Sequence, residues 1–277
     1  MTAREFFAEE IEAICGFKTA GLTAALAAVP RERFLGAGPW TVRGDGDLLG
    51  PARLTADADP RRVYHNLAIA IDPVRQLFNG QPSTLSSWID GLGLRPGSRA
   101  LHVGCGTGYY TSVMAQVVGA SGLVDAIETD ADLASRATEA VREWPWIHVH
   151  HGDGTAHGGP YDAILINAGM SHPRRSWLDA LAPSGRMAAP ITVAMGHGTI
   201  GKGFVVMITR DPDGFSARVF NMVAIYQAQG IRDEALAMKF AKVMSRGDWM
   251  SLRRLRVDAH DEGDLCWMHG PDFCFAR

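Results

Sequence analysis

The stretch that most constrains this chain runs over residues 99–143, where an apolar strand enters a turn with glycine at every second position and a helix leaves it. Residues 101–110 read LHVGCGTGYY, with Gly104, Gly106 and Gly108 spaced to permit the positive φ of a sharp turn and close approach of a ligand to bare backbone. Periodicity predicts a strand over 99–103, a helix over about 109–118, a strand over 123–128 and a helix over about 130–143. Strands over 147–151, 161–167 and 185–190, with a helix over about 174–182, continue the alternation. Strands that alternate with helices imply a parallel sheet covered on both faces, so an α/β, doubly wound, mostly parallel architecture is expected.

The flanks read differently. Residues 1–30 are predicted helical, with Phe6, Phe7, Ile11, Ile14 and Phe17 on one stripe. Residues 29–60 break into Gly, Pro and Asp with scattered large apolar side chains, the pattern of an irregular segment lying over something else. A helix is expected over 82–91, opened by Pro82. After Pro190 the β-rich runs 203–210 and 215–225 flank Asp211, Pro212, Asp213 and Gly214, predicting an antiparallel hairpin at the end of the sheet. A helix over 233–244 and a tail rich in large apolar residues close the chain. The expected organisation is a helical cap and irregular lid over 1–80, a core over 81–230, and a C-terminal helix and tail over 231–277.

Composition narrows the partners. With 27 Lys and Arg against 30 Asp and Glu, no global field draws the chain to nucleic acid or to an anionic membrane, so neither is expected as a partner. A small molecule or a peptide fits better. The N-terminus carries acids where a signal peptide has a basic region, which makes the cytoplasm the expected location. Four cysteines, at 15, 105, 266 and 274, are too few for a disulfide scaffold and are read as free thiols. Asp258, His260, Cys266, His269 and Cys274 are possible ligands, but without a C-x2-C or H-x3-H pair no metal is expected. His148, His150 and His151 read as ordinary strand and strand-end histidines.

The turn alone is a weak signal, and its context strengthens it. Glu128 ends the second strand, twenty positions after Gly108, where a carboxylate can accept from both hydroxyls of a ribose. Gly152, Asp153 and Gly154 after the third strand put a second carboxylate where an adenine amino group could donate to it. Nicotinamide enzymes share the strand, turn, helix and acid, but their usual fingerprint has wider glycine spacing, and here Tyr109 and Tyr110 follow at once. S-adenosylmethionine is therefore the expected cofactor.

With these residues in view, 29–190 resembles the protein-L-isoaspartate O-methyltransferase group of class I methyltransferases. The resemblance rests on Val29 to Phe34 (VPRERF), Tyr64 with Asn66, Gln81 with Pro82, the glycine turn followed by Tyr109, Glu128, the Gly152 to Gly154 triplet, and Tyr161 to Ile166 (YDAILI). It implies a Rossmann-like seven-stranded sheet with an antiparallel end. The expected cofactor-binding set is Gln81, Ser83, Gly104, Cys105, Gly106, Gly108, Glu128, Thr129, Gly152, Asp153, Gly154 and Asn167. Two positions depart from the group. Gly80 stands where the group carries a serine hydroxyl before the Gln-Pro pair, and His102 stands where the motif strand usually carries an acid. These departures predict a relative diverted to a small-molecule or modified-peptide acceptor, with isoaspartyl carboxyl methylation as the alternative.

Methyl transfer from a sulfonium is an in-line displacement, so catalysis rests on alignment and on exclusion of water. Asn167 to Pro173 (NAGMSHP), after the fourth strand, offers His172 as the candidate general base or acceptor-orienting group. Tyr64 is the second catalytic candidate, lining the acceptor side. Arg232 and Asp233 read as a surface ion pair. Two other classes stay open at this point: a nicotinamide-dependent oxidoreductase, and a non-catalytic adenosylmethionine-binding protein.

Overall fold

A computed structural model describes residues 1–44, 51–195 and 199–277. It packs as two compact units, Met1–Gly154 and Thr155–Arg277, a division that falls inside the span 81–230 read from the sequence as one core.

In the first unit, α1 (Ala3–Cys15) begins at Thr2, whose hydroxyl accepts from the Glu5 N–H while its own N–H donates to the Glu5 carboxylate at 2.6 Å. It ends at Gly16 in the left-handed conformation, so the N-terminal region is two helices, α1 and α2 (Leu22–Ala28), rather than one continuous run. Phe7 and Ile11 of α1 and Leu22 and Leu26 of α2 are fully buried, with α1 packed against α2.

Residues 29–60, expected to be irregular, contain β1 (Thr41–Arg43) and β2 (Arg53–Leu54), which join β3 (Ala68–Asp72) and β4 (Leu77–Phe78) beyond them in a small antiparallel sheet in the order β2-β1-β3-β4. The part of that expectation covering residues 45–50 lies outside the described residues. Helix α3 (Pro82–Leu92) follows, with Pro82 at its first position and Leu85, Trp88, Ile89 and Leu92 on its buried face. Then come β5 (Arg99–Val103), α4 (Tyr109–Val118), β6 (Leu123–Glu128), α5 (Ala131–Val141) and β7 (Ile147–His151), with β5, β6 and β7 parallel in that order. This βαβαβ run is the expected one, and it brings the ends of β5, β6 and β7 to one edge.

The second unit contains β8 (Tyr161–Ile166), the short helix α6 (Arg175–Asp179), β9 (Leu181–Ala194), β10 (Ile200–Asp211), β11 (Gly214–Tyr226), α7 (Glu234–Met244), β12 (Arg254–Arg256), β13 (Cys266–His269) and β14 (Cys274–Ala276). Strands β8 and β9 are parallel, while β9, β10 and β11 are antiparallel neighbours. Phe204 to Ile208 of β10 are buried without interruption, the mark of a strand covered on both faces. The expected hairpin is present but does not end the sheet. Three strands from the tail add to it in the order β11-β12-β14-β13, so residues 254–276 are structural rather than a loose extension. The fold is α/β and Rossmann-like, with parallel strands and a longer antiparallel part than the sequence suggested.

Candidate functional site

The glycine turn is held by backbone geometry. Gly104, Gly106 and Gly108 have φ of 76°, 57° and 93°, all in the left-handed region that a side chain strains. The Gly104 and Cys105 N–H groups both donate to the Ile127 carbonyl, at 2.8 and 3.1 Å, which ties the turn to the end of β6. Gly106 N–H donates to Glu128 Oε2 at 2.8 Å. The other carboxylate oxygen, Oε1, accepts from Asp130 N–H at 3.1 Å and Thr129 Oγ1 at 3.4 Å. Glu128 therefore shapes the turn, a role that sequence reasoning missed. Three donors leave part of a carboxylate's roughly four acceptor sites for a ligand hydroxyl.

The exposed backbone suits a nucleoside. A Cβ on Gly106 would meet only Ile71 Cδ1, at 3.2 Å, and one on Gly152 would meet nothing within 4 Å. Asp153 beside it is exposed. Gly154 has another reason to be glycine: a Cβ there would stand 2.5 Å from Val103 Cγ1, so it serves packing against β5. Cys105 sits in a cluster with Ala126, Ala137 and Val149, and burial pushes its thiol well up, so only its backbone is available. Together the Gly106 backbone, Glu128, Gly152 and Asp153 fit an adenosyl cofactor.

Above the turn, Ile71 belongs to β3, which is anchored to α5. Arg136 Nη1 donates to the Ile71 carbonyl at 2.8 Å, and Arg75 bridges Asp72 and Asp130. Deeper, Arg31 is fully buried and donates to the carbonyls of Val63, His65 and Leu67 at 2.7, 3.0 and 2.6 Å. Its guanidinium carbon also lies 5.6 Å from the Tyr109 ring centre. One arginine thus fixes the path of residues 63–67. Only its place in the VPRERF run signalled that.

That path explains what Tyr64 and Asn66 do. Tyr64 is 5 % exposed, and its hydroxyl donates to the Glu32 carboxylate and accepts from Arg31 N–H at 3.1 Å. Burial, then that contact, pushes the phenol well above its usual range. Its polar end is committed to packing, which removes the chemical argument for a catalytic role. Asn66 Oδ1 accepts from Ser83 N–H and its Nδ2 donates to Ser83 Oγ, both at 2.9 Å, while Gln81 Nε2 donates to the Asn66 carbonyl at 3.3 Å. Gly80 has φ 79°, and a Cβ there would stand 2.7 Å from Leu85 Cδ2, so a serine at this position would strain the backbone and displace that side chain. His102 is fully buried, with Nδ1 2.8 Å from Thr111 Oγ1. Desolvation holds its pKa at about 3, which keeps it neutral.

In the second unit, Asn167 follows β8 and His172 lies in the loop beyond it. Ser171 is fully buried; its oxygen accepts from Asp233 N–H at 2.9 Å and lies 2.8 Å from His172 Nδ1. Arg174 Nη1, which can only donate, lies 3.5 Å from Nε2, so Nε2 bears the lone pair and the neutral ring donates its Nδ1–H to the second acceptor site of the serine oxygen. Burial and then the Arg174 charge hold the His172 pKa below the usual imidazole value. Phe273 stacks on the ring at 5.7 Å and 14°. The imidazole faces a cleft of about 420 Å³ that Arg174, Arg232, Asp233 and Asp272 also line. The expected Arg232–Asp233 ion pair does not form. Arg232 instead donates to the Gly169 and Thr192 carbonyls, at 3.2 and 3.1 Å, and Asp233 caps α7 through Leu236 N–H.

Among the described residues no helix is long and apolar enough to cross a membrane. His148 and His150 both approach Asp125 Oδ1, at 3.5 and 3.2 Å.

Residues 55–201 match the family model described as Protein-L-isoaspartate(D-aspartate) O-methyltransferase. The protein-L-isoaspartate O-methyltransferase 1 of Rhodopseudomonas palustris is 33% identical over 171 residues, covering 61% of this chain and 60% of the relative. The protein-L-isoaspartate O-methyltransferase 2 of the same organism is 29% identical over 205 residues, covering 72% and 81%. The chain spans 60% of the first of these relatives, and only 44% of a Thermotoga maritima one. Two solved structures share the fold. A protein-L-isoaspartate O-methyltransferase superposes with a TM-score of 0.62 at 21% identity, covering 87% of this chain and 69% of that one. A Plasmodium falciparum protein described as a putative member, in complex with S-adenosyl-L-homocysteine, gives 0.59 at 17%, covering 82% and 98%. With more than half its length matched by the family model, and with the glycine turn, Glu128 and Asp153 inside that match, this chain belongs to the protein-L-isoaspartate(D-aspartate) O-methyltransferase family.

Proposed function

We propose that this chain is an S-adenosylmethionine-dependent methyltransferase acting on a carboxylate of a peptide or protein, with an isoaspartyl residue as the first acceptor class to test. The observation that carries the reading is the joint built by Gly106 N–H and Glu128 Oε2 at 2.8 Å, beside the open backbone at Gly152. The cofactor would supply an activated methyl on a sulfonium. Gly104, Cys105, Gly106, Gly108 and Gly152 would offer it backbone, Glu128 would accept from its ribose, and Asp153 from its base. Gln81, Ser83 and Thr129 are further proposed contacts in the same unit.

A carboxylate acceptor is already a nucleophile and needs no base. The chain's own groups agree with that demand. The Tyr64 hydroxyl is engaged elsewhere, Cys105 is a protonated buried thiol, and His102 is neutral. Arg174, which donates to His172 Nε2, presents its guanidinium to the cleft that both residues line, a donor suited to orienting a carboxylate rather than removing a proton. The small-molecule acceptor expected from Gly80 and His102 lacks support, because the family model and the relatives above carry the isoaspartate name.

The test is methyl transfer from labelled adenosylmethionine to an isoaspartyl peptide and to its ordinary aspartyl counterpart. The expected product is a base-labile methyl ester on the isoaspartyl peptide alone. Cofactor binding without label on either peptide would refute the acceptor, and absence of cofactor binding would refute the whole reading.

A further inference from the structure

At the outer edge of the second unit, four side chains converge that methyl transfer leaves unused. Cys266 and His269 lie at the two ends of β13, and Cys274 opens β14 directly across the ladder from His269. His260 comes from the loop after β12. The four ligand atoms all lie within 4.8 Å of one another. Cys266 Sγ is 3.7 Å from His260 Nε2 and 4.0 Å from His269 Nδ1. A tetrahedral zinc with Zn–S of about 2.3 Å and Zn–N of about 2.0–2.1 Å sets its sulfur and nitrogen ligands about 3.6 Å apart. The cluster is already near that size.

The surroundings prepare the ligands. His260 Nδ1 lies 2.9 Å from the Asp258 carbonyl, which can only accept, so Nδ1 carries the proton and the Nε2 lone pair faces Cys266. Gly263 N–H donates to Cys266 Sγ at 3.3 Å, a contact that suits a thiolate. The two imidazoles meet edge to face, with centroids 4.8 Å apart and planes at 79°, so each can aim a nitrogen at a common centre. Both thiols are free, Cys274 buried and Cys266 half-buried.

We propose that His260, Cys266, His269 and Cys274 bind one zinc ion. Two sulfurs and two imidazole nitrogens select zinc by softness and geometry, and four protein ligands close the site, making it structural. On binding, the two thiols release their protons to solvent and become the thiolate ligands. The ion clasps the edge strand β13 and the 258–263 loop to β14. Between β13 and β14 lie Pro271 and Asp272, which line the His172 cleft, and Phe273, which stacks on His172. The clasp therefore also holds one wall of that cleft.

These residues stand out as possible ligands in the sequence, but their spacing follows strand pairing and not a short motif, so no metal was expected there. The test uses the full chain purified with reductant and without chelator. Elemental analysis is expected to find about one zinc per chain. Removing it with a chelator should lower the melting temperature, and zinc should restore it. Cobalt added to the stripped chain should give the intense visible bands of a tetrahedral ion with thiolate charge transfer. His260→Asn, in a loop where loss of a ligand leaves the strands paired, and Cys266→Ser should each weaken zinc binding at least about tenfold. A chain that holds no zinc and gives only the weak spectrum of octahedral cobalt overturns the proposal. So does a metal-free Cys266–Cys274 disulfide, or a His260→Asn variant that binds zinc as the parent does.

Discussion

Acidification should destabilise this protein through His102 before most carboxylates titrate. The side chain is fully buried in β5, and desolvation lowers its pKa from 6.5 to about 3. Because the folded value lies below the unfolded one, the unfolded chain binds the extra proton. Stability is complete above about pH 6.5 and declines as pH falls toward the folded value. At pH 5 the unfolded imidazole is protonated and the folded one is not, so the loss is about 1.4 kcal/mol for each of the 1.5 pH units below 6.5, or about 2 kcal/mol. That figure depends on the unfolded pKa and is insensitive to the folded value as long as it lies well below 5. The comparison protein is His102→Gln, which does not titrate and retains polar atoms to meet Thr111 Oγ1, 2.8 Å from Nδ1 in the parent. Urea unfolding of both proteins at pH 7.5 and pH 5 isolates the effect, since the remaining titrating groups are shared. The parent should lose about 2 kcal/mol more than the variant. Equal losses would show that His102 titrates as an ordinary imidazole, and would refute the assignment of a neutral buried ring.

Two other substitutions probe the site from different sides. Gly154→Ala places a Cβ that would stand 2.5 Å from Val103, so chemical denaturation should show a loss of about 1–3 kcal/mol. An unchanged midpoint would mean that β5 yields freely. His172→Gln should lower methyl transfer roughly 100-fold while leaving cofactor affinity unchanged, because a group that orients the acceptor, here by holding Arg174, acts through alignment. In the parent, any acid limb due to His172 should lie below the usual imidazole value of about 6.5, the direction set by burial and Arg174. Unaltered turnover in the variant would exclude His172.

The parts legible in the sequence were those governed by near neighbours. The β5-turn-α4-β6-α5-β7 run declares itself through apolar strands, glycine spacing and helical period, and Gln81-Pro82 marks the start of α3. The small sheet over the turn was hidden because its strands are short and pair across long separations, as Val42 does with Ile69. Likewise the three-residue strands β12 and β14 carry too little alternation to announce themselves, and their pairing depends on the whole second unit. At the site, Glu128 was visible as an acid at a strand end, but its hold on Gly106 was not, since that contact spans twenty-two positions. Arg232 and Asp233 looked like an ion pair because they are adjacent; burial turned one toward backbone carbonyls and the other to a helix cap.

Calorimetric titration of S-adenosylhomocysteine into the parent chain and into Glu128→Ala, with NAD as the competing ligand, tests the cofactor assignment most directly. Saturable binding of the adenosyl compound is expected, weakened by about 1–3 kcal/mol in the variant through loss of a charge-assisted acceptor, with circular dichroism confirming that the variant remains folded. Heat from NAD in place of S-adenosylhomocysteine, or an affinity that survives the loss of Glu128 unchanged, would contradict it.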